Sequence, residues 1–245
     1  MEEQLWFTQL LNKWFAVPAN ALLHALGITP HHAAAPINDM VAMEVLVALI
    51  LLVFFILVRA RLSVQSPGPV QHVAEMLNGF IDEQSRDIIG HHNARYIPYL
   101  AVLGSFVLIS NVIGLIPGFM SPTQVPGVPL GCAIFTFVYY HFHGVRHQGP
   151  ITYLKHFAGP MPAIAWLMFP IEIISHSARL MSLTIRLYAN MFAGEMVTLA
   201  FFSLVPLAVP VAFMALHLGV AFIQAYIFVL LTMIYLAGSV GEEAH

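Results

Sequence analysis

The sequence predicts an all-α integral membrane protein with about five membrane helices and an amphipathic helix at the membrane interface. The last two helices are expected to be long and strongly tilted and to form a hairpin. Only 9% of the 245 residues are charged, whereas soluble domains carry about 25%. The mean hydropathy is +0.82, and apolar runs long enough to cross lipid recur along the chain. A single membrane domain, residues 1–245, is therefore expected.

The first part of the chain is predicted to lie outside and then to cross the membrane. Residues 1–37 form an external N-terminal segment with a short amphipathic piece, and 39–61 form the first span. The apolar core of that span contains one charge, Glu44. Arg59 and Arg61 end it, and the positive-inside rule places them on the inner side. The acidic start of the chain lacks the basic region of a signal peptide, so this span should stay in the membrane.

The middle of the chain is predicted to hold an interfacial helix and a pair of spans. Residues 68–90 place apolar side chains at helical spacing and charges on the other face, as a helix lying on the inner surface requires. A span hairpin follows over 95–117 and 129–147. Its connecting loop has no Lys or Arg and is therefore expected outside, whereas Arg146 ends the return span on the inner side.

The chain closes with a predicted hairpin of two long helices, 161–205 and 208–240, which reverses at Pro206 and Pro210. A continuous helix over the first range would be about 67 Å long. The hydrocarbon core is only about 30 Å thick. Both helices are therefore expected to tilt strongly.

Polar side chains are concentrated in this hairpin, although one charged group in lipid costs about 2.5–3.5 kcal/mol on insertion scales. Any one of them could be a structural ion pair or could reach the membrane surface, but the whole set favours function. The set comprises Glu172, His176, Arg179, Arg186, Asn190, Glu195, His217 and Gln224.

Spacing divides these residues into two tracks. At about 100° per residue, Glu195 lies on the helix face opposite Arg186 and about 13 Å further along the axis. His217 and Gln224 are seven residues apart and share a face of the last helix. Two tracks at different depths are what two separate aqueous pathways need. The face of Arg186 is shared by Arg179, Ser182 and Asn190.

Arg186 is the sharpest case, because an arginine cannot lose its proton in a protein. It cannot relay protons, and within lipid it needs an anion opposite it. Glu195 faces away, and Glu172 lies about 20 Å along the helix. The partner is therefore expected to be a carboxylate on another chain.

The segment 182–191, SLTIRLYANM, resembles the signature of subunit a of the bacterial F-type (rotary) ATP synthase. The resemblance continues through Glu195, includes the spacing of His217 and Gln224, and covers most of the chain from about Asp39 onwards. Further resemblance is carried by NVIGLIP at 111–117, QAYIF at 224–228 and the closing EEAH at 242–245.

The resemblance implies a stationary, proton-translocating subunit of the ATP synthase membrane sector, in the plasma (inner) membrane of a bacterium. Two offset half-channels would load and unload protons on the carboxylates of a rotating subunit c ring, which couples proton flow to ATP synthesis. Arg186 would separate the half-channels and promote deprotonation. The implied partners are the subunit c ring, the subunit b stator stalk, the remainder of the complex and membrane lipid.

The resemblance also assigns the other polar residues to the inner or the outer half-channel. Glu172 and Arg179 match positions that are usually polar or basic, near the inner half-channel. His176 has no counterpart in the family pattern. It could tune that half-channel, but packing is the favoured interpretation. The outer proton-uptake path is implied for Glu195, His217 and Gln224, with Asn190 in support. Glu195 and His217 together would allow a proton handoff, since a histidine can titrate near neutral pH.

Other classes of function fit the sequence less well. No basic stripe points to nucleic acid, no nucleophile–base pair points to a catalytic site of its own, and no cofactor is expected. The main alternative is a secondary ion-coupled transporter with its site in the final hairpin, but such folds usually show repeat symmetry and none is visible here.

A metal site is disfavoured, because the histidine groups whose spacing comes nearest to that of metal ligands lack suitable cysteine or carboxylate partners. These sets are His91 with His92, and His141 with His143 and His147. Whether H⁺ or Na⁺ is transported depends on the ring and stays open.

Overall fold

The computed structural model describes residues 5–25, 35–64, 66–90, 93–116, 118–153, 165–204 and 208–240. Over these residues the regular elements are helices, and α2 and α7 are long and apolar enough to cross a membrane. The prediction of an all-α membrane protein is confirmed. The helices are α1 (Trp6–Ala25), α2 (Asp39–Ala60), α3 (Pro69–Ile89), α4 (Ile97–Ile113), α5 (Gly127–Gln148), α6 (Ala165–Leu204) and α7 (Ala208–Val240). Two short 3-10 turns occupy Asn93–Arg95 and Pro122–Gln124.

The N-terminal segment is more helical than the sequence predicts. α1 continues past Pro18, because the following Ala- and Leu-rich stretch favours helix. Hydrogen bonds between side chains and backbone groups connect α1 to the start of α2. Asn12 accepts a hydrogen bond from the Ile37 N–H and donates to the Ile37 carbonyl, both at 3.0 Å. Asp39 accepts from the Leu5 N–H at 3.1 Å.

α3 has the amphipathic character that its sequence predicts. It begins with Pro69 at the first helical position and ends at Gly90, whose φ of 91° is readily adopted only by glycine. Ile81 is buried against α4 and α7. The Arg86–Asp82 ion pair lies on the more exposed side. Other apolar side chains of α3 remain exposed on the chain and so are free to meet lipid: Val73, Met76 and Phe80.

α4, α5, α6 and α7 pack together as the central bundle. Small residues let these helices approach closely, as is usual between membrane helices. A Cβ added to Gly104 of α4 would lie only 2.8 Å from Cγ2 of Val229 on α7. The apolar core around this contact buries Leu103, Val107, Ala133, Leu183, Leu187, Met191, Ala225 and Phe228.

α6 and α7 run antiparallel in a single register. Three side-chain contacts follow one another at 11-residue steps on both helices. They are Arg179 over the Tyr235 ring at 5.3 Å, Asn190 hydrogen-bonded to Gln224 at 2.9 Å, and Phe201 stacked on Phe213 at 4.6 Å. With 40 residues, α6 is about 60 Å long. The register determines which polar residues of the two helices can meet.

Candidate functional site

Arg186 lies near the middle of α6, beside the fully buried Leu187 of the bundle core. Its side chain is half-buried, and its Nη2 donates a hydrogen bond to Ser182 Oγ at 3.3 Å. No carboxylate within the described ranges lies within 4.0 Å of the guanidinium. A neutral hydroxyl does not balance a full positive charge in lipid. The described residues therefore supply no counter-charge for Arg186.

One turn beyond Arg186, Asn190 links the two long helices. Its Nδ2 donates to Gln224 Oε1 at 2.9 Å, and Gln224 is almost fully buried. The amide of Gln224 is thus held in the interface and not exposed to lipid. The sequence placed both residues near the transport path, but it did not predict that they bond to each other.

His217 packs against Gly194, one turn further along α6. A Cβ on Gly194 would lie 2.8 Å from Cε1, 2.9 Å from Nδ1 and 3.0 Å from Nε2 of the imidazole, so the ring rests directly on the glycine backbone. Any larger residue would displace the ring. The role of Gly194 was missed in the sequence, although it stands within the quoted family segment next to Glu195.

A cavity of about 210 Å³ borders this contact. It has room for several water molecules, each of which occupies about 30 Å³ in the liquid. His217 Nε2 is buried and has no hydrogen-bond partner within the described chain. The lining residues are Asn190, Ala193, Gly194, Val197, Phe213, Leu216, His217 and Val220. We call Asn190, Gly194, His217 and Gln224 the α6–α7 cluster.

Glu195 lies next to this cluster but faces elsewhere. Its side chain is half-exposed and does not line the cavity. In the part of the chain that the structure describes, no hydrogen bond or ion pair joins it to His217. A direct handoff between Glu195 and His217 thus has no support in this geometry, and any transfer between them requires water.

A second polar cluster lies at the other end of the bundle, where α5 and α7 end and α6 begins. The Tyr140 hydroxyl lies 2.9 Å from His176 Nδ1, and His176 Nε2 lies 3.2 Å from Glu172 Oε1. His176 is buried, with Nδ1 hydrogen-bonded to Tyr140 and Nε2 at ion-pair distance from Glu172. It is therefore packed, as the sequence favoured, and also hydrogen-bonded. We call Tyr140, His176 and Glu172 the α5–α6 cluster.

Further aromatic and basic groups surround the α5–α6 cluster. Arg179 lies over the ring of Tyr235, a cation–π contact. The rings of His141 and His176 are 4.8 Å apart, and His141 Nδ1 is hydrogen-bonded to the Tyr153 hydroxyl. Burial raises the pKa of Tyr153 to about 12, so this hydroxyl stays neutral at physiological pH. The contribution of Tyr140 was missed, because no spacing rule relates residues on different helices.

The two clusters lie at different depths along α6. His176 and Gly194 are 18 positions apart, which corresponds to about 27 Å along the axis. Arg186 lies between them, so a charged residue separates two polar regions that have no residue in common.

Some sequence predictions fall on residues outside the described ranges. They include His91 with His92, Pro117 and the closing segment 242–245. Within the described ranges, no group of three or more His, Cys, Asp or Glu side chains is arranged to hold a metal.

Comparisons with known proteins relate the chain to one family. The model of the ATP synthase A chain family matches residues 40–237. The chain is 56% identical over 237 residues to ATP synthase subunit a of Koribacter versatilis, with 97% of each chain covered. It is 49% identical over 234 residues to ATP synthase subunit a of Solibacter usitatus, with 96% of this chain and 100% of the relative covered. It is 42% identical over 219 residues to ATP synthase subunit a 3 of Pelobacter propionicus, with 89% and 94% covered.

Proposed function

The chain belongs to the ATP synthase A chain family, that of subunit a of the bacterial F-type ATP synthase, and from that premise we propose how it moves protons. Membership makes it a component of the membrane sector, with roles in ATP synthesis and proton transport, in a bacterial membrane. We propose that it stands still beside a rotating subunit c ring and provides two offset half-channels. It has no catalytic site of its own in this proposal.

One observation carries the proposal: Arg186 separates two polar clusters and lacks a carboxylate partner within the described residues. A carboxyl group in lipid tends to stay protonated, and an arginine opposite it favours the ionised form. A ring carboxylate that reaches Arg186 therefore releases its proton. The permanent charge of Arg186 also repels a proton that moves directly from one half-channel to the other.

The surface around Arg186 supports close approach by a ring helix. Several exposed residues on the same face of α6 as Arg186 are small, which lets helix backbones come near one another in membranes. A carboxylate on a neighbouring helix can thus reach the guanidinium. The small flanking residues are Ala178, Ser182, Ala189 and Ala193.

The outer half-channel is proposed to pass the α6–α7 cluster and Glu195. The 210 Å³ cavity beside His217 provides space for water, and the unpartnered Nε2 provides a polar contact for it. Because Glu195 and His217 do not touch, water links them in this proposal. Gln224 and Asn190 then support the end of the path nearest Arg186.

The inner half-channel is proposed to pass Glu172, His176 and Arg179. Arg61 follows α2 and Arg146 lies in the last turn of α5, and such charges are retained on the inner side of bacterial membranes. This orientation puts the N-terminus outside. It also puts the α5–α6 cluster at the inner face.

Offset half-channels convert the proton gradient into rotation, because a proton can cross only while it rides on the ring. Each proton that crosses releases about 2.3 kcal/mol per 100 mV of membrane potential. The subunit b stalk would hold this chain still against the resulting torque. The strong tilt proposed for α6 follows from its length, about 60 Å against a hydrocarbon core of about 30 Å.

Thiol labelling tests the two half-channels. In a Cys132→Ser background, Ala193→Cys should react with a membrane-impermeant thiol reagent from the outer face only, and Glu172→Cys from the inner face only. Ala221→Cys is the control, because Ala221 is fully buried and should react from neither face. The measurement is the labelling of right-side-out and inverted vesicles. Reaction of both sites from the same face would indicate one continuous pore and contradict the proposal.

The mass of the complex tests the partner. We expect the chain, purified gently in detergent, to remain with many copies of a small two-helix protein and with the stator stalk. Native mass measurement of the intact complex checks this. Recovery of the chain alone, with full ion-coupled transport activity after reconstitution, would instead support a secondary transporter.

A further inference from the structure

We propose that Tyr140 and His176 are positioning residues of the inner proton pathway, which hold the Glu172 carboxylate ionised and fixed in place so that it accepts departing protons. This inference rests on the proposed function, since it assumes that protons leave at the α5–α6 cluster. It adds a residue of α5 to a path that the sequence assigned to α6 alone.

The contacts of the cluster favour one tautomer of His176. A neutral imidazole has one N–H donor and one acceptor nitrogen, and an ionised carboxylate only accepts. Glu172 therefore requires the N–H on Nε2, 3.2 Å away. Nδ1 is then the acceptor, and the Tyr140 hydroxyl at 2.9 Å donates to it. Each group has the partner it needs, with the imidazole neutral and the carboxylate charged.

Packing holds the imidazole in this orientation. The Tyr140 ring lies nearly parallel to the His176 ring, with an interplanar angle of 23°. The centroid of the His141 ring is 4.8 Å from that of the His176 ring, and the Phe137 ring is oriented edge-on to the His176 ring. The side chain of His176 is 11% exposed, whereas that of Glu172 is 31% exposed. The chain of contacts from Tyr140 through His176 to Glu172 thus runs from the buried interior to a carboxylate that remains accessible.

Several charged and titratable groups surround the cluster. Arg179, three residues beyond His176 on α6, is permanently charged. Tyr140 and Tyr153 are neutral donors, and His141 is occupied by its hydrogen bond to Tyr153. On α7, the Tyr235 ring lies against the Arg179 guanidinium. No second carboxylate of the described chain joins the cluster.

The proton steps balance without a change of charge on His176. A ring carboxylic acid gives its proton to water near Arg186 and becomes a carboxylate. A chain of water molecules along the inner half-channel carries that proton to Glu172, which becomes a neutral carboxylic acid and then releases the proton to the inner aqueous phase. His176 keeps its single proton throughout. Its function is to orient Glu172 and to favour the ionised, accepting form.

The test uses the complete ATP synthase in vesicles, with ATP synthesis driven by an imposed potential and with the inner pH varied at constant outer pH. His176→Leu removes the polar contact to Glu172, and Tyr140→Phe removes the hydrogen bond that holds His176 in place. The midpoint of the inner-side pH dependence should move upward by about one unit, since a hydrogen bond to a charged group is worth about that much. At inner pH values below that midpoint the rate should fall by about 10-fold, whereas the rate at neutral inner pH and the dependence on outer pH should change little.

Two further variants separate positioning from proton relay and from general damage. His176→Gln can still donate to Glu172 and accept from Tyr140, so it should restore most of the rate. Tyr139→Phe removes a hydroxyl from the neighbouring position of α5, where the ring stacks on Tyr99, and should behave as the parent chain does. If His176→Gln is as slow as His176→Leu in equally assembled complexes, the imidazole itself carries protons and the positioning role is wrong.

The failure of this inference can be distinguished from failure of the proposed function. If Tyr140→Phe and His176→Leu keep the parent rate and inner pH profile while Arg186→Ala stops pumping, only the positioning role is overturned. If Arg186→Ala pumps normally, the proposed function fails, and the inference that rests on it fails as well.

Discussion

ATP-driven proton pumping should be abolished when Arg186 is replaced by alanine. The variant loses the charge that opposes the ring carboxylate, and removing one partner of a buried ion pair costs about 3–5 kcal/mol. A barrier increase of that size lowers a rate by about 100-fold or more. Removal of the charge also removes the electrostatic block between the half-channels, so a passive proton leak should remain. A pH-sensitive dye in inverted vesicles, with ATP added, measures both quantities.

Matched variants show whether the charge itself is responsible. Ser182→Ala removes only the neutral hydrogen-bond partner of Arg186 and should leave pumping nearly intact. Arg186→Lys keeps the charge but loses the planar fork that binds a carboxylate through two hydrogen bonds, so it should retain only part of the activity. Normal pumping by an assembled Arg186→Ala complex would contradict the mechanism.

The second large effect is expected at Glu195. Glu195→Ala removes a titratable carboxylate from the proposed outer path, and a positioned proton-transfer group contributes about 10²-fold or more to a rate. Proton uptake should therefore slow by about that factor at saturating driving force. Its dependence on outer pH should shift, because a different group then limits the step. Initial rates of ATP synthesis in vesicles at a series of outer pH values provide the measurement.

Glu195→Gln is the closest comparison, because it keeps the size of the side chain and loses only its titration. It should be as slow as Glu195→Ala, whereas Glu195→Asp should recover part of the rate. Glu75→Ala, which removes an exposed carboxylate from α3, serves as the charge-matched control. An unchanged rate and pH profile in Glu195→Ala would exclude this residue from the path.

Much of the fold could be predicted from the sequence, because lipid imposes simple length rules. A helix satisfies its own backbone hydrogen bonds, so a long apolar run in a membrane protein is almost certain to be helical. α2, for example, coincides closely with its apolar run and its closing arginines. α1 was harder to predict, because its contacts with Ile37 and Asp39 depend on tertiary pairing and not on local hydrophobicity.

The sequence could relate residues of the candidate site to one another where they lie on the same helix. The spacing rule predicts that Arg186 and Glu195 face different directions, since both lie on α6. It could not predict Asn190 bonding to Gln224 or His217 resting on Gly194, because those contacts depend on the register between two helices. It also could not find Tyr140, whose partner His176 lies 36 residues away on another helix. An uncharged polar side chain such as that of Tyr140 cannot be recognised from the sequence as part of a site until its packing partners are known.

The 11-residue steps between the α6–α7 contacts restrict how this hairpin can evolve. One inserted residue within α6 would turn everything beyond it by about 100° and shift it by about 1.5 Å. Contacts on the far side of the insertion would be lost together, and Asn190 and Gly194 would no longer face Gln224 and His217. Away from Arg186, Glu195 and the contact of Gly194 with His217, individual side chains can be exchanged one at a time at limited cost. A change in length alters many contacts at once. This part of the gene should therefore accept substitutions at other positions but not insertions or deletions.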